Sequence, residues 1–171
     1  RRGCRPMLRQ PNGGVATFAT SEVRAVQIPI PTSSNLYPFI QPVYVSHGEC
    51  GFHVVNCYLP SGNSSAHRSQ RTSIMKDVFL FVATLPPSPL FILGDFQEHP
   101  LSNPSVAEAM CTGEWVDVLD AFSNAAGKTV ENTFVRVAKN GTKQSRIDYI
   151  LANSAGCPRS EEHTSELQSQ S

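Results

Sequence analysis

The stretch Pro89–Pro100, with the sequence PLFILGDFQEHP, ends a short apolar run in a carboxylate. Four consecutive apolar residues at 90–93 are typical of a strand that is buried on both faces. Gly94 and Asp95 follow at once, and a strand tip on a glycine-permitted turn can hold a catalytic or metal-binding acid rigidly. The competing interpretation is an aspartate that only caps the turn after a core strand.

Two further strands carry polar residues that are candidates for chemistry. Tyr58 closes a strand in the sequence Asn-Cys-Tyr-Leu-Pro, and Asp148 lies within the run Arg-Ile-Asp-Tyr-Ile-Leu. Each has an ordinary explanation, because Tyr58 could be a half-buried aromatic and Asp148 could pair with Arg146. Charged residues inside an apolar strand are nevertheless seldom found without a partner. Tyr58, Asp95 and Asp148 are therefore candidates for one shared site.

The elements that hold Tyr58 and Asp95 alternate between strand and helix. The pattern predicts a strand over 52–59, a helix from about His67 to Leu85 and the central strand over 90–93. Apolar residues of the helix recur on one helical face, and two prolines at 86–87 end it. This order favours a crossover within one sheet, with the helix packed on its face.

Apolar and β-branched runs separated by turn residues predict three hairpins: 15–20 with 23–28, 42–46 with 52–59, and 133–137 with 146–151. The third hairpin surrounds an Asn-Gly pair, which is a strong hairpin signal. Segment 105–111 is a short helix candidate. Segment 115–122 is either a second helix or an irregular turn.

In this order and with these spacings, the motifs resemble those of the endonuclease/exonuclease/phosphatase superfamily, which has the DNase I-like fold. The matching stretches are GGVA at 13–16, NCYLP at 56–60, ILGDF at 92–96 and RIDYIL at 146–151. The resemblance runs from about Gly13 to Asn153, and the combination is specific although no single motif is. It implies an α/β protein, a four-layer α/β sandwich that is incomplete in this chain.

The resemblance also implies a metal-assisted phosphodiesterase, in which Mg²⁺ or Mn²⁺ neutralises charge at the scissile phosphate while water attacks in line. Asp95 matches the aspartate that orients or deprotonates this water. Tyr58 matches a tyrosine that contacts phosphate or the leaving group, and Asp148 matches an aspartate that orients a histidine. The catalytic candidates are therefore Tyr58, Asp95, Gln97 and Asp148, and the candidate substrate-binding residues are Thr133 and Arg146.

The sequence departs from the superfamily pattern in three places. Gln97 stands where the superfamily has Asn, and it offers the same amide on a stem one methylene longer. A displacement of that size could slow the chemistry markedly. No residue matches the metal-binding Glu of the N-terminal motif or the His of the C-terminal motif, so no metal ligand is assigned. Four histidines fit no such motif and are predicted to be surface or core residues: His47, His53, His67 and His99.

Composition limits the class of protein. The chain has 171 residues, of which 40% are hydrophobic and 16% charged, as expected for one globular domain. Its formal net charge of +0 argues neither for nor against a polyanionic partner. The apolar runs are far shorter than the ~18 residues of a membrane span. Five scattered cysteines without zinc or redox spacing predict free thiols in a reducing, intracellular compartment, the nucleus included.

The two ends of the chain differ in character from its middle. Residues 1–12 are predicted to form a basic, poorly ordered arm, with contact to nucleic acid as the alternative. The partial domain covers 13–158. Residues 159–171 are predicted to be an artefactual tail, because 159–169 resemble a translated sequencing adapter; a genuine disordered tail is the other interpretation. We expect the chain to be a fragment, truncated at both ends of the domain.

These features predict a fragment of a Mg²⁺-dependent DNA endonuclease, most like that of a retroelement and inactive alone. A phosphatase that acts on inositol or sphingolipid phosphates is the alternative within the same fold. A non-catalytic remnant is the alternative from another class of function, and Gln97 and the missing motifs favour it. The expected partner is DNA, with no membrane association and no obligate protein partner.

Overall fold

The computed structural model describes residues 15–31, 34–36, 38–138 and 141–156. They form a mixed α/β structure, whose elements in chain order are β1 (Arg24–Gln27), β2 (Ile40–His47), β3 (Cys50–Tyr58), α1 (Ser65–Val82), β4 (Leu90–Asp95), α2 (Pro104–Cys111), β5 (Trp115–Asp117), α3 (Val118–Ala125), β6 (Phe134–Ala138), β7 (Gly141–Ser145) and β8 (Asp148–Asn153). Six strands form one sheet in the order β1-β2-β3-β4-β8-β5, and β6 and β7 form a separate two-stranded ribbon. Strands β3 and β4 therefore lie side by side at the centre.

Helix α1 connects β3 to β4, and this crossover makes the two strands parallel. The helix begins after Ser64, whose hydroxyl accepts a hydrogen bond from the His67 N–H and so satisfies one free donor of the first turn. Its buried apolar residues recur along one face and join the core beneath the sheet: Ile74, Met75, Val78 and Val82. The predicted crossover is confirmed, with a helix that begins and ends slightly earlier than the sequence indicated.

One apolar cluster joins the large sheet to α1 and α2. Val55, Ile92 and Leu151 are register partners across β3, β4 and β8, and each side chain is 0% exposed. Val78 of α1 and Val106 of α2 are equally inaccessible and belong to the same cluster. Full burial of such a side chain contributes about 1.5–3 kcal/mol. The core therefore lies on the helical side of the sheet and holds the three central strands in register.

Two of the predicted elements are wrong, one in full and one in part. Residues 15–20 form no strand, because β1 pairs with β2 and not with the segment before it. Residues 115–117 form β5, which pairs with β8, where the sequence predicted a helix or a turn. The remainder of that segment is helical, since α3 begins at Val118. In both places the choice of partner strand, which local composition does not encode, decides the structure.

The third predicted hairpin is wrong in its second strand. β6 pairs with β7, and the strand predicted at 146–151 instead joins the large sheet as β8. β7 has the sequence Gly-Thr-Lys-Gln-Ser, and a segment without apolar residues carries no alternation that could reveal a strand. The Asn-Gly pair falls where β6 is followed by β7, and Asn140 itself lies outside the described residues.

The α/β class predicted from the sequence is confirmed, and the described residues provide one large sheet of the expected sandwich together with its helices. The predicted basic arm at 1–12 and the predicted tail at 159–171 lie outside the described residues. Among the residues described, no helix combines the length and the apolar character needed to cross a membrane. Cys50, Cys57 and Cys111 are free thiols.

Replacement of Ile92 by Ala tests the position of the core. The change leaves a cavity in the central row, and we expect the free energy of unfolding to fall by roughly 2–5 kcal/mol in urea denaturation. The matched control is Leu80→Ala on the outer face of α1, where the side chain is 61% exposed and the expected change is within about 0.5 kcal/mol. Equal losses in the two variants would contradict this core.

Candidate active site

Three of the predicted site residues lie side by side at one edge of the large sheet. Tyr58 at the end of β3 is the register partner of Asp95 at the end of β4, and Asp95 is the register partner of Asp148 at the start of β8. Neighbouring strands are about 4.8 Å apart, and directly opposed residues point to the same face. Tyr58 and Asp148 are exposed, and Asp95 is half-buried. We call these three residues the strand-end row.

The strand-end row forms because β8 runs antiparallel to β4, so that its first residue meets the last residues of β3 and β4. Two backbone hydrogen bonds continue the pairing next to the row. The Leu59 N–H donates to the carbonyl oxygen of Asp95 at 2.9 Å, and the Phe96 N–H donates to that of Ile147 at 2.8 Å. Leu59 and Phe96 are buried. The backbone around the row is therefore fixed by both hydrogen bonds and packing.

Gly94 allows β3 and β4 to approach each other just before the strand-end row. Its φ of +138° is favourable only for glycine. A Cβ atom at this position would lie 1.9 Å from the carbonyl oxygen of Cys57 on β3, a distance at which the backbone would have to move. The glycine of the ILGDF motif is therefore required by the close contact that sets Asp95 beside Tyr58.

The Asp95 carboxylate is held by the residue two positions after it. The backbone N–H of Gln97 donates to Oδ1 of Asp95 at 2.9 Å, and the Gln97 side-chain amide donates to Oδ2. Burial raises the pKa of Asp95 above its ordinary value; the Gln97 backbone and side-chain hydrogen bonds lower it, and the nearby charge of Asp148 raises it. The net shift is upward, as is common for catalytic carboxyl groups.

Gln97 has a φ of +61°, and it is the one non-glycine residue with positive φ in the described part of the chain. This left-handed conformation costs roughly 1–2 kcal/mol for most side chains, and Asn tolerates it best. The sequence predicted that the longer stem of Gln would displace its amide. In the structure the side-chain amide of Gln97 folds back and donates a hydrogen bond to Oδ2 of Asp95. The additional methylene of Gln97 therefore places its amide on the Asp95 carboxylate.

Thr133 lies beside the strand-end row. Its Oγ1 accepts hydrogen bonds from the backbone N–H groups of Ile147 at 3.1 Å and of Asp148 at 3.2 Å. The hydroxyl proton remains available to a substrate, because both of these bonds use the oxygen as acceptor. The structure therefore places the predicted substrate-binding hydroxyl at the first residue of β8.

Arg146 also lies near the row, but its guanidinium contacts protein groups. Nη2 pairs with Asp117 at 2.7 Å, Nη1 pairs with Asp120 at 2.8 Å, and Nε donates to the carbonyl oxygen of Asp148 at 3.2 Å. Its side chain is only 8% exposed. The phosphate-binding role suggested by the sequence stays a prediction, and these contacts favour a role in holding the start of β8.

The sequence suggested that Arg146 could pair with Asp148, but its ion-pair partners in the structure are Asp117 and Asp120, which sequence reasoning did not identify. Asp117 ends β5 and caps α3, since its side chain accepts hydrogen bonds from the N–H groups of Leu119 and Asp120. The guanidinium also lies 4.3 Å from the ring centre of Tyr149. Burial raises the pKa of Tyr149 to about 12. An aspartate before a helix is a recognisable cap signal, but its pairing with an arginine 29 positions later is visible only in the fold.

The strand-end row offers oxygen donors that suit a hard cation. Mg²⁺ is commonly held by one or two carboxylates together with substrate phosphate and water, and Asp95 and Asp148 provide two carboxylates on adjacent strands. The described ranges contain no group of three or more His, Cys, Asp or Glu side chains that could hold a metal ion. Two carboxylates without a third such ligand among the described residues would suit a cation that takes its remaining ligands from outside the protein.

Comparison by sequence identifies no relative: no protein-family model matches the chain, and no curated protein does. Comparison by structure identifies several. The endonuclease domain of TRAS1, a telomere-specific non-LTR retrotransposon, matches with a TM-score of 0.61 and 15% identity over 90% of this chain and 68% of that one. TDP2 from C. elegans matches with a TM-score of 0.59 and 18% identity over 88% of this chain and 48% of that one.

TDP2 from D. rerio, complexed with a single-stranded DNA product, matches with a TM-score of 0.55 and 16% identity over 81% of this chain and 56% of that one. The chain thus spans about half the length of the TDP2 structures that it matches. These similarities establish the DNase I-like fold that the sequence motifs predicted.

Replacement of Gly94 by Ala tests the close contact of β3 and β4. We expect a loss of unfolding free energy clearly larger than that of Gly113→Ala, measured by urea denaturation. Gly113 has a φ of +75° and open space around its Cα, so it reports only the conformational cost, about 1–2 kcal/mol. Gly94→Ala adds a backbone collision to this cost. Similar losses in both variants would show that the contact is not required.

Replacement of Asp95 by Asn tests the raised pKa. A carboxyl group whose pKa is higher in the folded state loses its stabilising contribution as pH rises from the unfolded value, about 3.9, through the folded value. We therefore expect the stability of Asp95→Asn relative to the parent chain to increase between pH 3 and pH 7. Urea denaturation across this range measures the difference, and a pH-independent or decreasing difference would contradict the assignment.

Proposed function

We propose that the chain carries part of the active site of a Mg²⁺-dependent phosphodiesterase that acts on DNA. The observation that supports this most directly is the strand-end row, in which Tyr58, Asp95 and Asp148 are brought together from distant parts of the chain. Their side chains face the same side of the sheet at an open edge. An extended polymer can reach such an edge more easily than it can reach an enclosed cavity.

In this proposal Asp95 orients the attacking water and accepts its proton. The raised pKa of Asp95 supports this role, because a base is most effective when its pKa approaches the working pH. Gln97 fixes the rotamer of Asp95 through its two hydrogen bonds. Tyr58 donates its phenolic proton to a phosphate oxygen or to the leaving group, and Thr133 adds a second hydroxyl donor at the start of β8.

A Mg²⁺ ion bound by Asp95 and Asp148 would neutralise negative charge at the scissile phosphate. The charge of Asp148 raises the pKa of Asp95, and a bound cation would relieve this repulsion and lower that pKa, so the raised pKa applies to Asp95 before a cation binds. In this proposal Asp148 adds a second negative charge next to Asp95 and orients the groups that lie beside Asp95.

DNA is the proposed substrate because two structurally similar proteins are described as a DNA complex and as an endonuclease domain. One of them holds a single-stranded DNA product, and the other is the endonuclease domain of a telomere-specific retrotransposon. The exposure of Tyr58 and Asp148 is consistent with a polymer substrate that lies across the sheet edge. The proposal that the chain is a retroelement-type endonuclease rests on its structural similarity to the TRAS1 endonuclease domain and on the sequence motifs at 56–60, 92–96 and 146–151.

A non-catalytic function is the second candidate, and one observation favours it. Both carboxylate oxygens of Asp95 already accept hydrogen bonds from Gln97. A base that is occupied in this way has less capacity to bind water than one with a free oxygen. A chain in this state could bind nucleic acid without cleaving it.

Nicking of supercoiled plasmid DNA with added Mg²⁺ separates the two functions. Because the sequence predicts a fragment that is inactive alone, any Mg²⁺-dependent nicking by the chain should be slow, and Asp95→Ala should lower it by about 10²–10⁴-fold, the range typical for loss of an acid–base group. Asp77→Ala, on α1 and away from the row, is the control and should nick like the parent chain.

Equal Mg²⁺-dependent nicking by the parent chain and by Asp95→Ala would rule out the role assigned to Asp95. If neither nicks DNA but the parent chain retains its fold, the catalytic proposal fails for this chain. A gel-shift measurement with the same DNA then determines whether the non-catalytic function applies.

A further inference from the structure

A buried arginine on α1 joins the two loops that follow the site strands. The side chain of Arg71 is 2% exposed. Its Nη1 donates to the carbonyl oxygens of Pro60 at 3.0 Å and of Gly62 at 2.8 Å, and its Nη2 donates to Oε2 of Glu98 at 2.8 Å. One guanidinium therefore contacts the loop after β3 and the loop after β4 at the same time.

Glu98 is fixed from its other side as well. Its Oε1 accepts a hydrogen bond from Nδ2 of Asn103 at 3.2 Å. Asn103 is 1% exposed and caps α2, because its Oδ1 accepts from the Ser105 N–H. Glu98 is thus held between α1 and the start of α2, two elements whose positions are set by the core.

These contacts lie close to the strand-end row. Pro60 is two residues after Tyr58, and Glu98 directly follows Gln97. The Leu59 N–H bonds to the Asp95 carbonyl oxygen between them. The guanidinium therefore bonds to the loop that follows Tyr58 and to the side chain of the residue three positions after Asp95.

Stability alone is a poor explanation for this arginine. Burying an ion pair removes two charges from water, and a well-packed apolar replacement is often equally stable. The Nε of Arg71 is also buried without a partner in the described residues. Gln97, meanwhile, has a left-handed backbone, a conformation that persists only where the surroundings hold it. The contact of Arg71 with the adjacent Glu98 is such a restraint.

We infer that Arg71 is a positioning residue for the active site: through Pro60, Gly62 and Glu98 it holds the ends of β3 and β4 so that Tyr58 and Asp95 stay in register and Gln97 keeps its contact with Asp95. The geometric part of this inference stands on the contacts alone. Its consequence for catalysis rests on the proposed function.

The test compares Arg71→Lys with two controls by amide hydrogen exchange, followed by NMR. Lys keeps the charge but cannot reach two carbonyl groups and a carboxylate with one planar group. We expect exchange at Leu59 and Gln97 to accelerate by about tenfold or more relative to the core amide of Val55. Arg68→Lys, on the exposed side of the same helix, should change none of these rates.

Val78→Ala is the second control, because it removes buried volume from α1 without touching the two loops. It should raise exchange at all three amides by a common factor. If Arg71→Lys also raises them by a common factor, Arg71 is merely structural and the inference is overturned. Should Arg71→Lys fail to fold, Glu98→Gln removes the charge from the other partner and is expected to accelerate exchange at Gln97 selectively.

The nicking assay separates this inference from the proposed function. If the parent chain nicks DNA, Arg71→Lys should lower kcat by about tenfold or more with little change in KM, because misplaced groups slow the chemical step. If the parent chain does not nick DNA, the proposed function fails, and the exchange rates still decide whether Arg71 positions the two loops. An unchanged kcat in a folded Arg71→Lys would refute the catalytic consequence.

Discussion

The parallel pairing of β3 with β4 is the interaction on which the candidate site depends. It sets Tyr58 opposite Asp95, and it requires both the crossover through α1 and the absence of a side chain at Gly94. Since the crossover helix packs on the same core as the strands, the register at the site edge is set by apolar packing at Val55 and Ile92. The polar residues at the strand ends are thus placed by contacts in which they take no part.

The site also concentrates features that reduce stability. Asp95 is partly buried next to another carboxylate, and Gln97 has an unfavourable backbone conformation. Such features are tolerated where the surrounding structure holds them, and they occur most often where chemistry needs a strained or destabilised group. Two buried arginines surround this region, Arg71 on one side and Arg146 on the other. Both connect separate chain segments near the row, and neither is exposed.

Much of this arrangement could be predicted from the sequence, and the remainder has clear physical reasons. The apolar run at 90–93 and the helical periodicity of α1 are local signals, and they correctly predict β4 and the crossover helix. The antiparallel position of β8 beside β4 was not derivable, because pairing depends on residues that are distant in sequence. The backbone of Gln97 and the partners of Arg71 and Arg146 depend on the assembled loops. The overall fold was predicted from the resemblance of the motifs to those of the endonuclease/exonuclease/phosphatase superfamily, because the local signals do not specify it.

The segment between β5 and β8 contains α3 and the β6–β7 ribbon, and among the described residues these elements form no ladder with the large sheet. Thr133 and Arg146 connect this segment to the start of β8. Apart from Asp120, Thr133 and Arg146, this part of the molecule can therefore change in length or composition during evolution without disturbing the register of the central strands. Descendants of such a scaffold could acquire new surfaces here while the same strand ends are inherited unchanged.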